Sequence, residues 1–227
     1  MFDFFKKKAK QEAFLALDIG TEVVKAAIFQ LEEKRTQSGQ LVGRRGVIKG
    51  YGRAPLKGGE MQSGMMTDLA SVIQSAKEAV ALASKQAGLS PGKMIMAIAG
   101  ESVKGATSVI KHKREDSASK ISLTELRNIV HKLQWKAFAE VRKELSKETG
   151  YPEIDIKLVS TSIVNLRIDG YKVANPLGFQ GKEVEMSIYN CFSSLDRYSG
   201  LENIAEEIGV ESMGIVSEAY ALGRSLS

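Results

Sequence analysis

Near the start of the chain a short apolar segment runs directly into an acidic turn: Phe14-Leu15-Ala16-Leu17-Asp18-Ile19-Gly20-Thr21. A second apolar segment, Val23 to Phe29, leaves the turn almost at once. Short apolar runs bounded by turn residues are typical of buried strands. The sequence therefore predicts two strands joined by a tight hairpin that carries a carboxylate at its mouth.

The composition of this turn suits phosphate binding. A glycine at position 20 permits a positive φ and close approach of a ligand to the backbone, and the N–H groups of Gly20, Thr21 and Glu22 would form an anion-binding nest. Asp18 would repel a phosphate, but it suits a Mg²⁺ ion held through water. The alternative is an ordinary hairpin in which the Asp18 carboxylate accepts hydrogen bonds from the turn.

Composition bounds the function classes. The 227 residues are 43% hydrophobic and 26% charged, an ordinary globular balance. A single cysteine, Cys191, suits a reducing compartment, and no apolar run approaches the roughly 18 residues that span a bilayer. We therefore expect a cytoplasmic protein. Its basic residues are not interleaved with aromatic stacking platforms, which disfavours a nucleic-acid partner.

The first twelve residues form a basic tail with Phe2, Phe4 and Phe5 beside Lys6, Lys7, Lys8 and Lys10. Such a segment is typical of a short amphipathic stretch that lies on an anionic membrane surface, here the inner face of the cell membrane. The alternative is a frayed, charged terminus.

Periodicity and turn residues predict a mixed α/β order. Thr67 is the expected N-cap of the first helix, and Ser122 with Glu125 forms a capping-box pattern for the second. Trp135, on the second helix, is expected to pack against a sheet. The predicted strands lie at about 13–18, 23–31, 41–52, 93–99, 103–111, 154–168, 170–174, 183–192 and 212–216, and the helices at about 67–86, 122–147, 195–208 and from 217 onward.

Four blocks of sequence resemble, in order, the FtsA family of bacterial actin-like cell-division proteins. The first is the hairpin around Asp18, which is similar to the first phosphate motif of the wider actin, Hsp70 and sugar-kinase superfamily. The others are Met96–Lys104, the segment Ile168–Glu185 with its Asn175–Gly181 loop, and the tail Leu201–Leu222. The resemblance extends over about residues 14–226.

The resemblance implies an actin-like (ribonuclease H-like) α/β half-domain with a mixed sheet, interrupted by a strand–helix–strand–strand insertion. The half-domain would comprise residues 13–62 and 194–227, and the insertion residues 63–193. Family members bind ATP with Mg²⁺ between two lobes, associate head to tail, and act as membrane scaffolds of the division ring with other division proteins. By position, the resemblance places Asp18, Gly20 and Thr21 on the phosphate loop. It implies that Asp18 holds Mg²⁺ through a water molecule.

The family's second phosphate hairpin does not follow within these 227 residues, so the chain resembles the N-terminal half of FtsA. A nucleotide that is contacted from one side keeps most of its surface exposed to solvent. We therefore expect weak or absent ATP binding and negligible hydrolysis. No catalytic residue is predicted. The alternatives are a PilM-like cytoplasmic subunit of type IV pilus assembly and, less favoured, a sugar-kinase-like enzyme. His112 and His131 lack companion ligands, which disfavours a metal site of their own.

Overall fold

The computed structural model describes residues 12–62, 65–100, 103–150 and 152–225. Apart from Glu12, the predicted basic tail lies outside these ranges. The chain divides into a first unit, residues 1–101 with 199–227, and a second unit, residues 102–198. The strands are β1 Ala13–Ile19, β2 Val23–Arg35, β3 Leu41–Pro55, β4 Met61–Gln62, β5 Met65–Met66, β6 Lys93–Ile98, β7 Lys104–Lys113, β8 Ile156–Ile168, β9 Tyr171–Lys172, β10 Glu183–Ser194 and β11 Glu211–Ser217. The helices are α1 Leu69–Ala87, α2 Leu123–Thr149, α3 Leu195–Ile208 and α4 Glu218–Ser225, with a 3-10 turn at Glu153–Asp155.

The first unit is built on a mixed five-stranded sheet in the order β11-β6-β1-β2-β3. Strands β1, β2 and β3 form antiparallel neighbours, whereas β6 runs parallel to both β1 and β11. Side chains of Leu15, Leu17, Val24 and Ile28 are almost fully buried. This mixed sheet agrees with the predicted α/β half-domain.

Helix α1 packs on β2 and β3 through small residues. Its buried positions are Val72, Ala76, Ala79 and Ala83. Opposite them, a Cβ on Gly52 would lie 2.0 Å from the Ala79 carbonyl oxygen, and glycine therefore lets the helix backbone rest directly on the strand. The predicted N-cap Thr67 is wrong, because the Asp68 carboxylate accepts the Ser71 N–H at 3.1 Å.

The second unit is an antiparallel four-stranded sheet, β7-β10-β8-β9, with α2 across one face. The Asp169-Gly170 hairpin joins β8 to β9 with φ values of 47° and 86°, as that dipeptide predicts. The predicted strand 170–174 is shorter, reduced to Tyr171–Lys172. Two clusters of apolar side chains lie between α2 and the sheet: Ile110, Ile121, Ile129, Leu133, Ala137, Ile168, Val184, Met186 and Ile188, then Val141, Leu145, Ile156 and Phe192.

Two expectations need correction here. The second unit begins at residue 102 rather than near 63, because β6 hydrogen-bonds between β1 and β11 and α1 packs on β2 and β3. It ends at 198 rather than 193, within α3. Trp135 does not pack against the sheet: it is 67% exposed, with its ring 5.4 Å from that of Phe138.

Within the described part of the chain, every helix is too short or too polar to cross a bilayer.

Candidate phosphate-binding hairpin

The hairpin between β1 and β2 lies where three parallel strands end. Asp18 is in register with Ala97 on β6, and Ala97 pairs in turn with Val216 on β11. Ligands of open α/β sheets bind outside the carboxyl ends of such strands. The topology thus places the turn Gly20–Glu22 at the edge where a ligand site is expected.

The backbone of the turn is only partly engaged. The Gly20 N–H donates to the Val23 carbonyl at 3.2 Å, and the Glu22 carbonyl accepts the Leu56 N–H at 2.7 Å. The predicted nest of three N–H groups is therefore reduced to two. Among the residues that the structure describes, the N–H groups of Thr21 and Glu22 have no hydrogen-bond acceptor.

Glycine is favoured at position 20 for a different reason from the one predicted. Its φ is not positive, so the predicted left-handed conformation is wrong. A Cβ at this position would lie 3.1 Å from the Val23 carbonyl oxygen, which is tighter than most real contacts. Close approach within the turn, and not φ, disfavours a side chain at position 20.

Asp18 makes an ion pair with Lys25, a residue that the sequence analysis missed. The two face each other in the β1–β2 register, with Lys25 Nζ 3.0 Å from Asp18 Oδ2. Their side chains remain 45% and 33% exposed for Lys25 and Asp18, respectively, so both stay accessible to a ligand. The pKa of Lys25 is raised above its usual value, chiefly by the hydrogen bond and charge of Asp18, with smaller contributions from Tyr51 and Glu218. Register arithmetic could have found this pair, because a four-residue connection between the paired residues Ile19 and Val24 places positions 18 and 25 opposite each other.

These groups can bind an anion together with a cation. Lys25 and the two unengaged N–H groups suit phosphate oxygens, while the exposed Asp18 carboxylate suits a hydrated Mg²⁺. Among the described residues, no group of three or more His, Cys, Asp or Glu side chains is placed to hold a metal ion. The hairpin therefore offers donors that suit an anion beside a carboxylate, while the described residues provide no metal site made of protein ligands alone.

A depression in the second unit has a structural role. Its volume is about 450 Å³, and Arg114 and Glu125 lie in its wall. The buried Arg114 guanidinium donates to both Glu125 carboxylate oxygens, at 2.6 and 2.9 Å, and to the Gly181 carbonyl at 2.9 Å. The hydrogen bond from Arg114 is the main reason that the pKa of Glu125 is lowered. Because the charges of Arg114 and Glu125 are paired with each other, this ion pair stabilises the loops at this end of the unit and is not assigned to ligand binding.

No protein-family model matches the sequence, and no curated protein matches it. Thirty-one chains of solved structures do match. One is from a PilM–PilN type IV pilus biogenesis complex, with 16% identity and a TM-score of 0.54, covering 93% of this chain and 49% of that one. This similarity shows an actin-like α/β fold, as the sequence predicted. The present chain spans about half the length of that relative.

Two further structures are more distant. A diol dehydratase-reactivating factor in nucleotide-free form has 10% identity and a TM-score of 0.36, over 90% of this chain and 64% of that one. An Aquifex aeolicus member of the Ppx/GppA family has 21% identity and a TM-score of 0.20, over 38% of this chain and 26% of that one.

Proposed function

We propose that this protein is an actin-like scaffold subunit of a membrane-associated assembly, and that it acts as a PilM-like component of type IV pilus biogenesis. The observation that carries this proposal is the similarity to the PilM–PilN complex, which covers 93% of the chain and hence includes both units. The partner class would be a PilN-like protein. The cytoplasm, next to the inner face of the membrane, is the proposed location.

The proposed role of the hairpin is nucleotide sensing, with no catalytic residue assigned. Lys25 and the N–H groups of Thr21 and Glu22 would contact the phosphates of ATP, and Asp18 would hold Mg²⁺ through water. The exposure of the Asp18–Lys25 pair and the two unengaged N–H groups support this assignment. Bound Mg²⁺ would supply charge neutralisation for the phosphates.

An FtsA-like division scaffold is the second candidate. The specific support for it is the Asn175–Gly181 loop and the three other sequence blocks that resemble that family. Head-to-tail self-association and contacts with other division proteins would then use residues 102–198. A sugar-kinase-like enzyme has less support, because no sugar-binding carboxylate is recognisable in the sequence.

A binding experiment separates the two scaffolds. The chain would be titrated by fluorescence anisotropy against the cytoplasmic segment of the PilN-like protein and against the tubulin-like ring protein, both from the same genome. Saturable binding of the PilN-like segment alone would support the pilus role. Binding of the ring protein alone would replace it with the division role, and binding of neither would contradict the PilM-like proposal for this chain.

A further inference from the structure

Helix α2 carries an exposed tryptophan on the face turned away from its sheet. Trp135 is 67% exposed, although tryptophan side chains are on average well buried. Positions three and four residues apart lie on the same face of a helix, so His131 and Lys132 lie one turn before Trp135 and Ala139 lies one turn after it. These three side chains are exposed too. We call Arg127, His131, Lys132, Trp135 and Ala139 the tryptophan face.

The Trp135 ring is the outermost of three neighbouring aromatic rings. Its centre lies 5.4 Å from that of Phe138, which in turn lies 5.9 Å from that of the buried Phe192. The guanidinium carbon of Arg142 lies 4.9 Å from the centre of the Phe138 ring, and Arg142 also pairs with Glu153 at 3.2 Å. Because these contacts restrict the rings, little conformational entropy would be lost when a partner covers Trp135.

The charges that flank Trp135 are positive. Nearly four turns of α2, residues 126–139, contain no acidic side chain. Two cations of this segment, Arg127 and Lys132, are exposed and make no ion pair among the residues that the structure describes. At about 100° per residue they lie about 80° and about 60° to either side of Trp135, so all three share the outer half of the helix. An apolar ring between two unpaired cations is complementary to an apolar side chain between two carboxylates.

We propose that the tryptophan face docks an acidic amphipathic helix of a partner protein. Helices pack by fitting the ridges of one into the grooves of the other, and the large Trp135 next to the small Ala139 forms such a ridge and groove. Apolar side chains of the partner would cover Trp135, and its carboxylates would pair with Arg127 and Lys132. Tryptophan and arginine are among the residue types that most often dominate the energy of an interface.

The same features disfavour two other occupants. A second copy of the chain, packed by two-fold symmetry, would bring Arg127 and Lys132 against the same residues of the other copy, and like charges repel. A single-stranded nucleic acid would stack successive bases on several rings, whereas Trp135 is the only exposed Phe, Tyr or Trp of the described part of α2. The inference goes beyond the proposed function, since neither a nucleotide nor a PilN-like protein enters it.

The test is a fluorescence titration of the full chain with a designed helical peptide of about 20 residues, in which glutamates flank a stripe of leucines. Because Trp135 is the only tryptophan of the sequence, its emission reports directly whether this ring is covered. We expect saturable binding, a shift of the emission maximum to shorter wavelength, and weaker binding as salt is raised. The same peptide with lysine at every glutamate position should produce no shift.

The variants are compared by the anisotropy of a fluorescein-labelled acidic peptide, since Trp135→Ala removes the intrinsic probe. Trp135→Ala should weaken binding about 30-fold, a loss typical of an interface hot spot. The variant R127Q/K132Q should weaken it about fivefold at low salt and less at high salt. The matched control K85Q/K172Q removes two exposed lysines outside α2 and should change binding less than about twofold.

Circular dichroism spectra matching wild type would show that each variant is folded. The proposal would be overturned if the acidic peptide left the emission unchanged, if the lysine peptide bound equally well, or if R127Q/K132Q bound as the control does. Binding of a single-stranded oligonucleotide without binding of the acidic peptide would replace the proposed partner with a nucleic acid. Self-association that Trp135→Ala abolishes, again without peptide binding, would replace it with a second copy. Failure of the pilus experiment would leave all of these outcomes unaffected.

Discussion

The contact of α1 with β3 depends on the absence of a side chain at Gly52, and Gly52→Ala should therefore be strongly destabilising. The new Cβ would lie 2.0 Å from the Ala79 carbonyl oxygen and 2.8 Å from the Ala83 nitrogen. Since an ordinary C···O contact is about 3.3 Å or more, the helix must retreat by about 1.3 Å. Both obstacles are backbone atoms, so no side-chain rotation can relieve the clash.

The magnitude follows from typical overpacking costs. Extra methylenes in a packed core cost about 1–3 kcal/mol, and an immovable backbone neighbour places Gly52→Ala near the upper end. The smaller conformational freedom of alanine in the unfolded chain returns about 0.4–1 kcal/mol. We expect a net loss of about 2–2.6 kcal/mol, or roughly a 1–1.3 M decrease in urea midpoint if the slope is about 2 kcal/mol per molar.

The same strand provides the control. Gly46 also lies on β3, but a Cβ there would meet only Phe29 Cδ2, at an ordinary 3.5 Å. Gly46→Ala should therefore stay within about 0.5 kcal/mol of wild type. Urea unfolding would be followed by far-UV circular dichroism, and hydrogen exchange of peptides 69–87 and 123–149 would show whether α1 loses protection while α2 keeps it. Equal midpoints for the two variants would refute the packing argument.

Three further predictions concern charged groups. Arg114→Met should destabilise the second unit by about 2–4 kcal/mol, because Glu125 and the Gly181 carbonyl lose a buried donor; a urea midpoint unchanged from wild type would contradict this. The N–H groups of Glu183 and Lys182 lower the pKa of Asp169, so its stabilising effect is present above its unfolded pKa of about 3.9 and is lost as pH falls through the lower folded value. The difference in urea midpoint between wild type and Asp169→Asn should accordingly shrink with falling pH, whereas a constant or growing difference would exclude this linkage. Calorimetry of this chain with Mg-ATP should give at most weak binding that Asp18→Asn abolishes, because the hairpin encloses little of a nucleotide; a low-micromolar Kd for wild type would contradict this expectation.

Local patterns predicted the hairpins and helices because the relevant forces act over a few residues. The apolar runs on either side of Asp18 predicted β1 and β2, and the dipeptide Asp169-Gly170 predicted its turn. The first helix cap was misassigned by one residue, since both Thr67 and Asp68 are good caps. The structure uses the Asp68 carboxylate for the cap, while the Thr67 N–H donates to the Glu60 carbonyl at 2.9 Å.

Pairings between segments that are distant in the chain could not be predicted from the sequence, for a physical reason. A strand pattern shows that Lys93–Ile98 is buried, but not that β1 and β11 are its neighbours, so the unit boundary was placed about 40 residues too early. The fit of Gly52 to Ala79 likewise joins segments that no periodicity connects. Lys25 was missed although its register was predictable, because the phosphate motif of this hairpin consists of Asp18, Gly20 and Thr21 and includes no basic residue on the next strand.

The Asp18–Lys25 ion pair suggests how the proposed site would select its ligand. An exposed ion pair contributes only about 0–1 kcal/mol, so little stability is lost when the two side chains separate. When phosphate binds together with Mg²⁺, each side chain gains a new partner whose charge has the same sign as the partner it loses. Lys25 exchanges a carboxylate for phosphate oxygens, and Asp18 exchanges an ammonium group for a hydrated cation. Neither charge would be left unpaired on binding or on release. Phosphate alone would repel Asp18, and Mg²⁺ alone would repel Lys25, so this hairpin should discriminate in favour of the metal–phosphate complex over either ion by itself.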